Sequence, residues 1–311
     1  MADWALTDHA IYEALNPGDA VNSRPTNSYT FRGTSASQEW NEFVATTTKD
    51  YHGLWLQCPL GRDSGAASSP GGSYFFNLGF GSAGNEVDVY MGHLIHSNSN
   101  RLGDGGTHIP LYIPAGTRLT LRPQLKGTAT IAGIFLQVFG VTNGFHAHKS
   151  FSRHYRMGTD GHSDHFGNGD PVNYSHALGT RITLPTGGSQ DLGAAPWHEI
   201  EDFCLFDTKY VIPVGHMCRT SNDIESAEGP ANSGRSYWFQ LGIGDKGDEQ
   251  PITPLMHHQI FLSSSWTGEY VSSHPGQPCY IARGQRVVAR AITSNADVGD
   301  NNMTIWAHCF G

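Results

Sequence analysis

One set of residue blocks occurs twice in this chain, in the same order, and any fold must accommodate both copies. SYFFNLGFGSAGNE at 73–86 is matched by SYWFQLGIGDKGDE at 236–249, with more than half of the positions identical. PLYIPAGTRLTLR at 110–122 is matched by PCYIARGQRVVAR at 278–290. The stretch 134–140, ending Phe139-Gly140, pairs with 305–311, ending Phe310-Gly311; upstream, Trp40 and Glu42 pair with Trp197 and Glu199. The separation between partners widens along the chain, as small loop insertions in the second copy would cause. Collinear self-similarity of this kind marks a repeated structural unit. Copy one spans 27–142 and copy two 178–311. The Gly/His/Asp-rich stretch 143–177 between them reads as a linker or long loop. Residues 1–26 belong to neither copy and form an N-terminal arm or anchor. There Asp8 is placed to cap a short helix over residues 10–15, ended by Asn16-Pro17-Gly18; the alternative is a strand or arm packed on its own domain.

Each copy alternates with period two. Tyr74, Phe76, Leu78 and Phe80 share one face of a strand, as do Tyr237, Phe239, Leu241 and Ile243 in the second copy. Glycine pairs then supply the turns, at 81 and 84 and again at 244 and 247. Short strands bounded by turns, in a chain with 38 glycines and only 15% charged residues, point to an all-β protein and exclude a helical bundle. The expected architecture is two tandem jelly-roll-like antiparallel β-sandwiches arising from an internal duplication. An immunoglobulin-like sandwich is the second choice.

The formal net charge is −9 and no Lys/Arg cluster occurs, so nucleic acid is not an expected partner. No apolar run is long enough to span a bilayer as a helix, so no membrane insertion is expected. The first residues lack a basic stretch followed by an apolar one, so no secretion signal is expected and synthesis is placed in a cytoplasm. Five cysteines at wide spacing argue for small buried residues rather than a disulfide framework or a CxxC metal site.

If Leu119, Leu121, Leu136 and Val138 face the core, Arg118, Thr120, Arg122, Phe135 and Gln137 face outward. The corresponding set in copy two is Arg286, Val288, Arg290, Trp306 and His308. A face mixing rings, Arg, Gln and His suits sugar binding, where rings stack on the apolar side of a pyranose and polar groups bond hydroxyls. Packing against the other domain or a second protomer is the alternative. Copy two also carries an insertion, residues 263–274, in which Trp266, Tyr270 and His274 suit a recognition loop on a rigid scaffold; sealing the sandwich mouth is the other role open to Trp266. Glycan-binding candidates are therefore Trp266, Tyr270, His274, Trp306, His308, Arg290, Phe135, Gln137 and Arg122. Of the 17 histidines, His146, His148, His162 and His165 crowd the linker. Neutral imidazoles at such spacing can take a divalent metal, but without Cys partners or a regular pattern a hydrogen-bonding, turn-forming loop is the plainer reading; no other cofactor is expected. Asp63-Ser64-Gly65 is not a nucleophile elbow, and no P-loop or dinucleotide fingerprint occurs. The chain is expected to be non-enzymatic.

Together, LGFGSAGNE (78–86), PLYIPAGTRLTLR (110–122) and the closing Phe-Gly (139–140) resemble the tandem β-sandwich structural proteins of tailed phages and gene transfer agents, described as head-spike-like or tail-fibre-like. Copy two departs from the pattern at Ala282-Arg283, where copy one has Pro114-Ala115. The resemblance carries no catalytic residues. It implies a virion surface location, other virion proteins as partners, assembly as a homo-oligomer, and attachment to host cell-surface polysaccharide. The alternatives are a decoration or adaptor protein without glycan binding, and a polysaccharide-degrading enzyme.

Overall fold

The computed structural model describes residues 12–15, 40–58, 72–97, 104–125, 137–142, 150–158, 180–184, 191–218, 235–260, 272–273, 276–293 and 302–311. Among them the protein is all-β; its one helical turn is a three-residue 3-10 turn at Leu192–Ala194. The chain divides into two compact units. Unit 1 is Met1–His154 with Phe310, and unit 2 is Tyr155–Cys309 with Gly311.

Unit 1 holds β1 (Tyr12–Ala14), β2 (Asn41–Val44), β3 (Leu54–Cys58), β4 (Gly72–Phe80), β5 (Val87–Ser97), β6 (Asp104–Ile109), β7 (Leu119–Leu125) and β8 (Gln137–Val141). They form two four-stranded sheets, ordered β1-β8-β3-β6 and β2-β7-β4-β5, with antiparallel pairings throughout. Two four-stranded sheets in that order make a jelly roll, which settles the choice against the immunoglobulin-like alternative.

Unit 2 contains β9 (His154–Met157), which begins at the unit boundary, then β10 (Thr180–Thr183), β11 (His198–Glu201), β12 (Thr208–Cys218), β13 (Arg235–Ile243), β14 (Gln250–Pro251), β15 (Met256–Ile260), β16 (Ser272–Ser273), β17 (Gln277–Ile281), β18 (Val287–Thr293) and β19 (Asn302–Phe310). One sheet is ordered β10-β19-β12-β16, with β17 also on β12 and β9 on β19. The other is ordered β11-β18-β13-β14, with β15 also on β13. The strand order of unit 1 recurs, with β14 and β15 together in the place of β5. Strand β9 falls inside the stretch 143–177, whose sequence reads as a connector.

Over its described residues, 12–15, the helix expected at 10–15 is not formed. Tyr12–Ala14 pairs with β8, and Leu15 N–H continues the ladder to Val138 C=O at 2.8 Å. An edge strand offers unpaired backbone groups that a short segment can satisfy without nucleating a helix. Glu13 then fixes this strand: Lys49 Nζ lies 2.7 Å from its carboxylate and Tyr51 hydroxyl donates to it at 3.1 Å.

The cores follow the alternation. Leu54, Leu56, Leu78, Leu119, Leu121 and Val138 are buried in unit 1. Tyr237, Phe239, Leu241, Val287, Ala289 and Ala291 lie in one buried cluster in unit 2. Full burial of such a side chain contributes roughly 1.5–3 kcal/mol.

Each unit is clasped by one arginine. Arg118 on β7 donates to Glu42 on β2, to Gly81 C=O at 3.0 Å and to Glu86 at 2.7 Å. Arg286 on β18 repeats this with Glu199 at 2.6 Å, Gly244 C=O at 2.9 Å and Glu249 at 3.2 Å. Gly81 and Gly244 stand at φ 126° and 127°, a conformation that L side chains rarely adopt. The same guanidinium thus holds an outer strand and the turn that follows β4 or β13.

Above this clasp each unit packs a tryptophan onto a glycine. A Cβ at Gly79 would fall 2.6 Å from the Trp40 ring, and one at Gly242 would fall 2.7 Å from the Trp197 ring. Overpacking of that kind costs about 1–3 kcal/mol. Gly242→Ala is therefore expected to lower the unfolding free energy by that amount, seen as a lower urea midpoint at unchanged m; an unchanged midpoint would show that the ring is not held against the backbone.

Candidate functional site

On the β18–β13 sheet of unit 2, Trp238, Gln240 and Gly242 alternate with the core residues of β13. They lie opposite Ile292, Arg290 and Val288 on β18, in register. On the other side of β13, Trp238 faces His257 of β15. Trp197 lies over Gly242 and beneath Arg290, whose guanidinium carbon stands 4.3 Å from the ring centroid. Arg290 Nε and Nη2 both donate to Gln240 Oε1, at 3.2 and 2.8 Å. Gln240 Nε2 in turn donates to Thr253 C=O at 2.8 Å. The Trp238 and His257 rings stack with centroids 5.2 Å apart and planes 29° apart; Trp238 is half-buried and His257 exposed. One sheet face therefore presents a ring pair and, one strand step away, an oriented guanidinium.

Unit 1 builds the same platform with different chemistry. Arg122 lies 4.6 Å from the Trp40 centroid, and its Nη2 donates to Asp88 Oδ2 at 2.7 Å. Asn77 Nδ2 donates to the other oxygen of that carboxylate at 2.9 Å. The charge is thus neutralised within the unit.

Arg122 and Arg290 are half-exposed on the face expected for them, whereas other members of the expected outward set are not. Trp306 and His308 are buried, 1% and 2% exposed, and are corrected from surface to interior residues. Strand β19 is paired with β10 and with β9, and the backbone at Gly158, just after β9, lies against Trp306. Alternation says which residues share a face, but not whether another layer covers it. Val288 and Thr120 are fully buried as well, since Trp197 and Trp40 sit over the glycines opposite them. Gln137 lies in β8, paired with Gln57; its side chain is outside the described residues. Phe135, Trp266, Tyr270, His274 and the four linker histidines, His146, His148, His162 and His165, are also outside them. Among the described residues no group of three or more His, Cys, Asp or Glu side chains is arranged to hold a metal.

Glu201 is a site residue that sequence reading missed. It closes β11 across a β-bulge opposite Val287, where it is half-buried. Its carboxylate accepts a hydrogen bond from Gly158 N–H at 3.4 Å. Burial, aided by the charges of Asp202 and Glu199 and opposed by the Gly158 hydrogen bond, pushes its pKa up to about 7. Nearby, Tyr155 hydroxyl donates to the buried Cys204 Sγ at 3.0 Å. The Cys279 thiol is pushed up to about 12 by burial and by Cys204, so it is held as an unreactive thiol. Cys204 and Cys309 are buried and, like Cys279, free. Trp40 and Trp197, on which the two arginines lie, were visible in the sequence only as landmarks of the repeat.

Neither a family model nor a curated protein sequence matches this chain. Among solved structures it is similar to a peptide-N(4)-(N-acetyl-β-D-glucosaminyl) asparagine amidase, at 10% identity and TM-score 0.38, over 97% of this chain and 96% of that one. A recombinant peptide:N-glycanase F is similar at 9% identity and TM-score 0.36, over 98% and 96%. A T13 IBDV viral particle structure is similar at 11% identity and TM-score 0.23, over 86% and 56%. The first two proteins are enzymes, and the expectation of a non-enzymatic chain is corrected on that finding. The expectation had rested on the lack of a legible catalytic motif, and catalytic carboxylates can lie far apart in sequence.

Proposed function

We propose that this protein recognises carbohydrate through the outer face of the β13–β18 sheet in unit 2. The observation that carries this reading is the stacked Trp238–His257 pair beside Arg290, which Gln240 and Trp197 hold in one orientation. A pyranose offers an apolar C–H face to a ring and hydroxyls to fixed polar groups, and rigid rings bind at low entropic cost. The resemblance of residues 78–86, 110–122 and 139–140 to virion proteins supports host cell-surface polysaccharide as ligand. It also supports a virion surface as setting, with other virion proteins as neighbours and synthesis in the host cytoplasm.

A second reading, cleavage of a glycan at a separate point of unit 2, is favoured by Glu201. A carboxylic acid that keeps its proton near neutral pH is suited to donate it to a leaving group. Its half-burial and its neighbouring carboxylates produce that state.

Binding of the purified protein to a panel of host and model polysaccharides checks the first reading. Trp238→Ala is expected to weaken binding about 3- to 10-fold, and undiminished binding would remove the ring pair from the site. For the second reading, reducing-end release is expected to fall about 10²- to 10⁴-fold in Glu201→Gln; absence of release by wild-type protein from every bound glycan would exclude it. Glu201 also has a stability signature. Below about pH 4.5, the ordinary glutamate value, the carboxyl is protonated in both folded and unfolded chains. Between there and about pH 7 the unfolded chain alone has lost its proton, so stability falls as pH rises, and above pH 7 the loss is constant. Glu201→Gln should therefore gain stability relative to wild type between pH 5 and 8 in urea unfolding. An equal pH dependence in both proteins would show that the carboxyl is not perturbed.

A further inference from the structure

The two units place an arginine at the same point on the same sheet and treat its charge in opposite ways. In unit 1, Asp88 stands opposite Gly79 on the strand beside β4, and it takes the Arg122 charge at 2.7 Å. In unit 2 the position opposite Gly242, on the strand beside β13, is Pro251. Asn77, which helps hold Asp88, is replaced by Gln240. Arg290 is therefore held by a neutral amide and an indole ring, and no described carboxylate pairs with it. Gln240 occupies only the Nε–Nη2 edge, so the Nη1–Nη2 edge is left to donate. That edge matches a carboxylate in planar, bidentate geometry.

We infer that this face of unit 2 is a subsite for a carboxylate-bearing saccharide, a uronate or another acidic sugar, with the carboxylate on Arg290 and the sugar's apolar face on Trp238. The inference rests on the carbohydrate reading and names the class of sugar. Trp238 and Gln240 are two residues apart on one strand, a step of about 6.5 Å, so a ring on Trp238 brings its substituent to the arginine opposite Gln240. One guanidinium that no described carboxylate pairs with, on a chain of net charge −9, suits an isolated carboxylate and not a polyphosphate, which needs several cations. The net charge opposes an anionic ligand only weakly at this range. Charges more than about 8 Å away are screened at physiological salt, and nearby Glu199 and Glu249 are already paired with Arg286. In unit 1, Asp88 occupies the place of the ligand carboxylate.

The test is calorimetric titration of the full chain with a panel of acidic oligosaccharides (galacturonate, glucuronate, mannuronate and sialylated forms), each beside its methyl ester. At least one acid should bind tenfold or more tighter than its ester. Arg290→Gln should abolish that preference. Pro251→Asp, which recreates the carboxylate of unit 1, should abolish it too, with unfolding midpoints unchanged; Pro251→Ala should retain it. Acid and ester bound alike would overturn the inference and leave the carbohydrate reading standing. A preference that survives both Arg290→Gln and Pro251→Asp would place the anion elsewhere and also overturn it. No binding of any sugar by the folded protein would sink both.

Discussion

Packing of a tryptophan ring directly onto backbone, at a position where a Cβ would collide with it, sets the outer face of each sandwich. Trp40 sits on Gly79 and Trp197 on Gly242. Once the ring is there, the residue across the ladder is sealed, as Thr120 and Val288 are. The arginine two residues further along has one favourable place for its guanidinium, over the indole. The glycine makes the approach sterically feasible, the ring supplies the surface, and the arginine becomes a fixed charge instead of a mobile one. A fixed charge on a rigid sheet loses little entropy on binding.

The arginine clasp lies deeper in the same design. Arg118 and Arg286 each bind a carboxylate from the outer strand, a carboxylate from the following turn, and a carbonyl at a positive-φ glycine. The turn carboxylate is itself oriented by a backbone N–H, from Gly84 or Gly247. Three elements meet on one planar donor, so β2 or β11, with its tryptophan just upstream, is held in register with the sheet. The two units share a strand order and this clasp. The units diverge where the clasp does not reach, at Asp88 against Pro251 and at Glu201.

Two kinds of residue were misplaced by reading strands alone. Trp306 and His308 alternate correctly with Ile305, Ala307 and Cys309 of the core cluster, yet both are buried. Tyr12–Ala14 lies in a stretch that reads as a short helix but pairs at a sheet edge, where β8 supplies hydrogen bonds that an isolated turn of helix lacks. In both cases a long-range partner outweighed a local preference.

Local chemistry made much of the fold readable from the sequence. Period-two alternation placed Leu119, Leu121, Tyr237, Phe239 and Leu241 in cores, because successive strand side chains point to opposite faces whatever surrounds them. The glycines at 81, 84, 244 and 247 announced their turns, and the repeated Trp-x-Glu and Arg positions announced a shared framework. Arg122 and Arg290 were legible as members of one outward face. Tertiary structure alone decided which outward residues are covered, since that depends on a second layer absent from any local pattern. It alone brought Asp88 to Arg122 and left Arg290 with an amide, because the deciding residue lies on a neighbouring strand distant in sequence. It alone buried Glu201 beside Gly158, and burial, not residue type, is what holds a proton on a carboxylate near neutral pH.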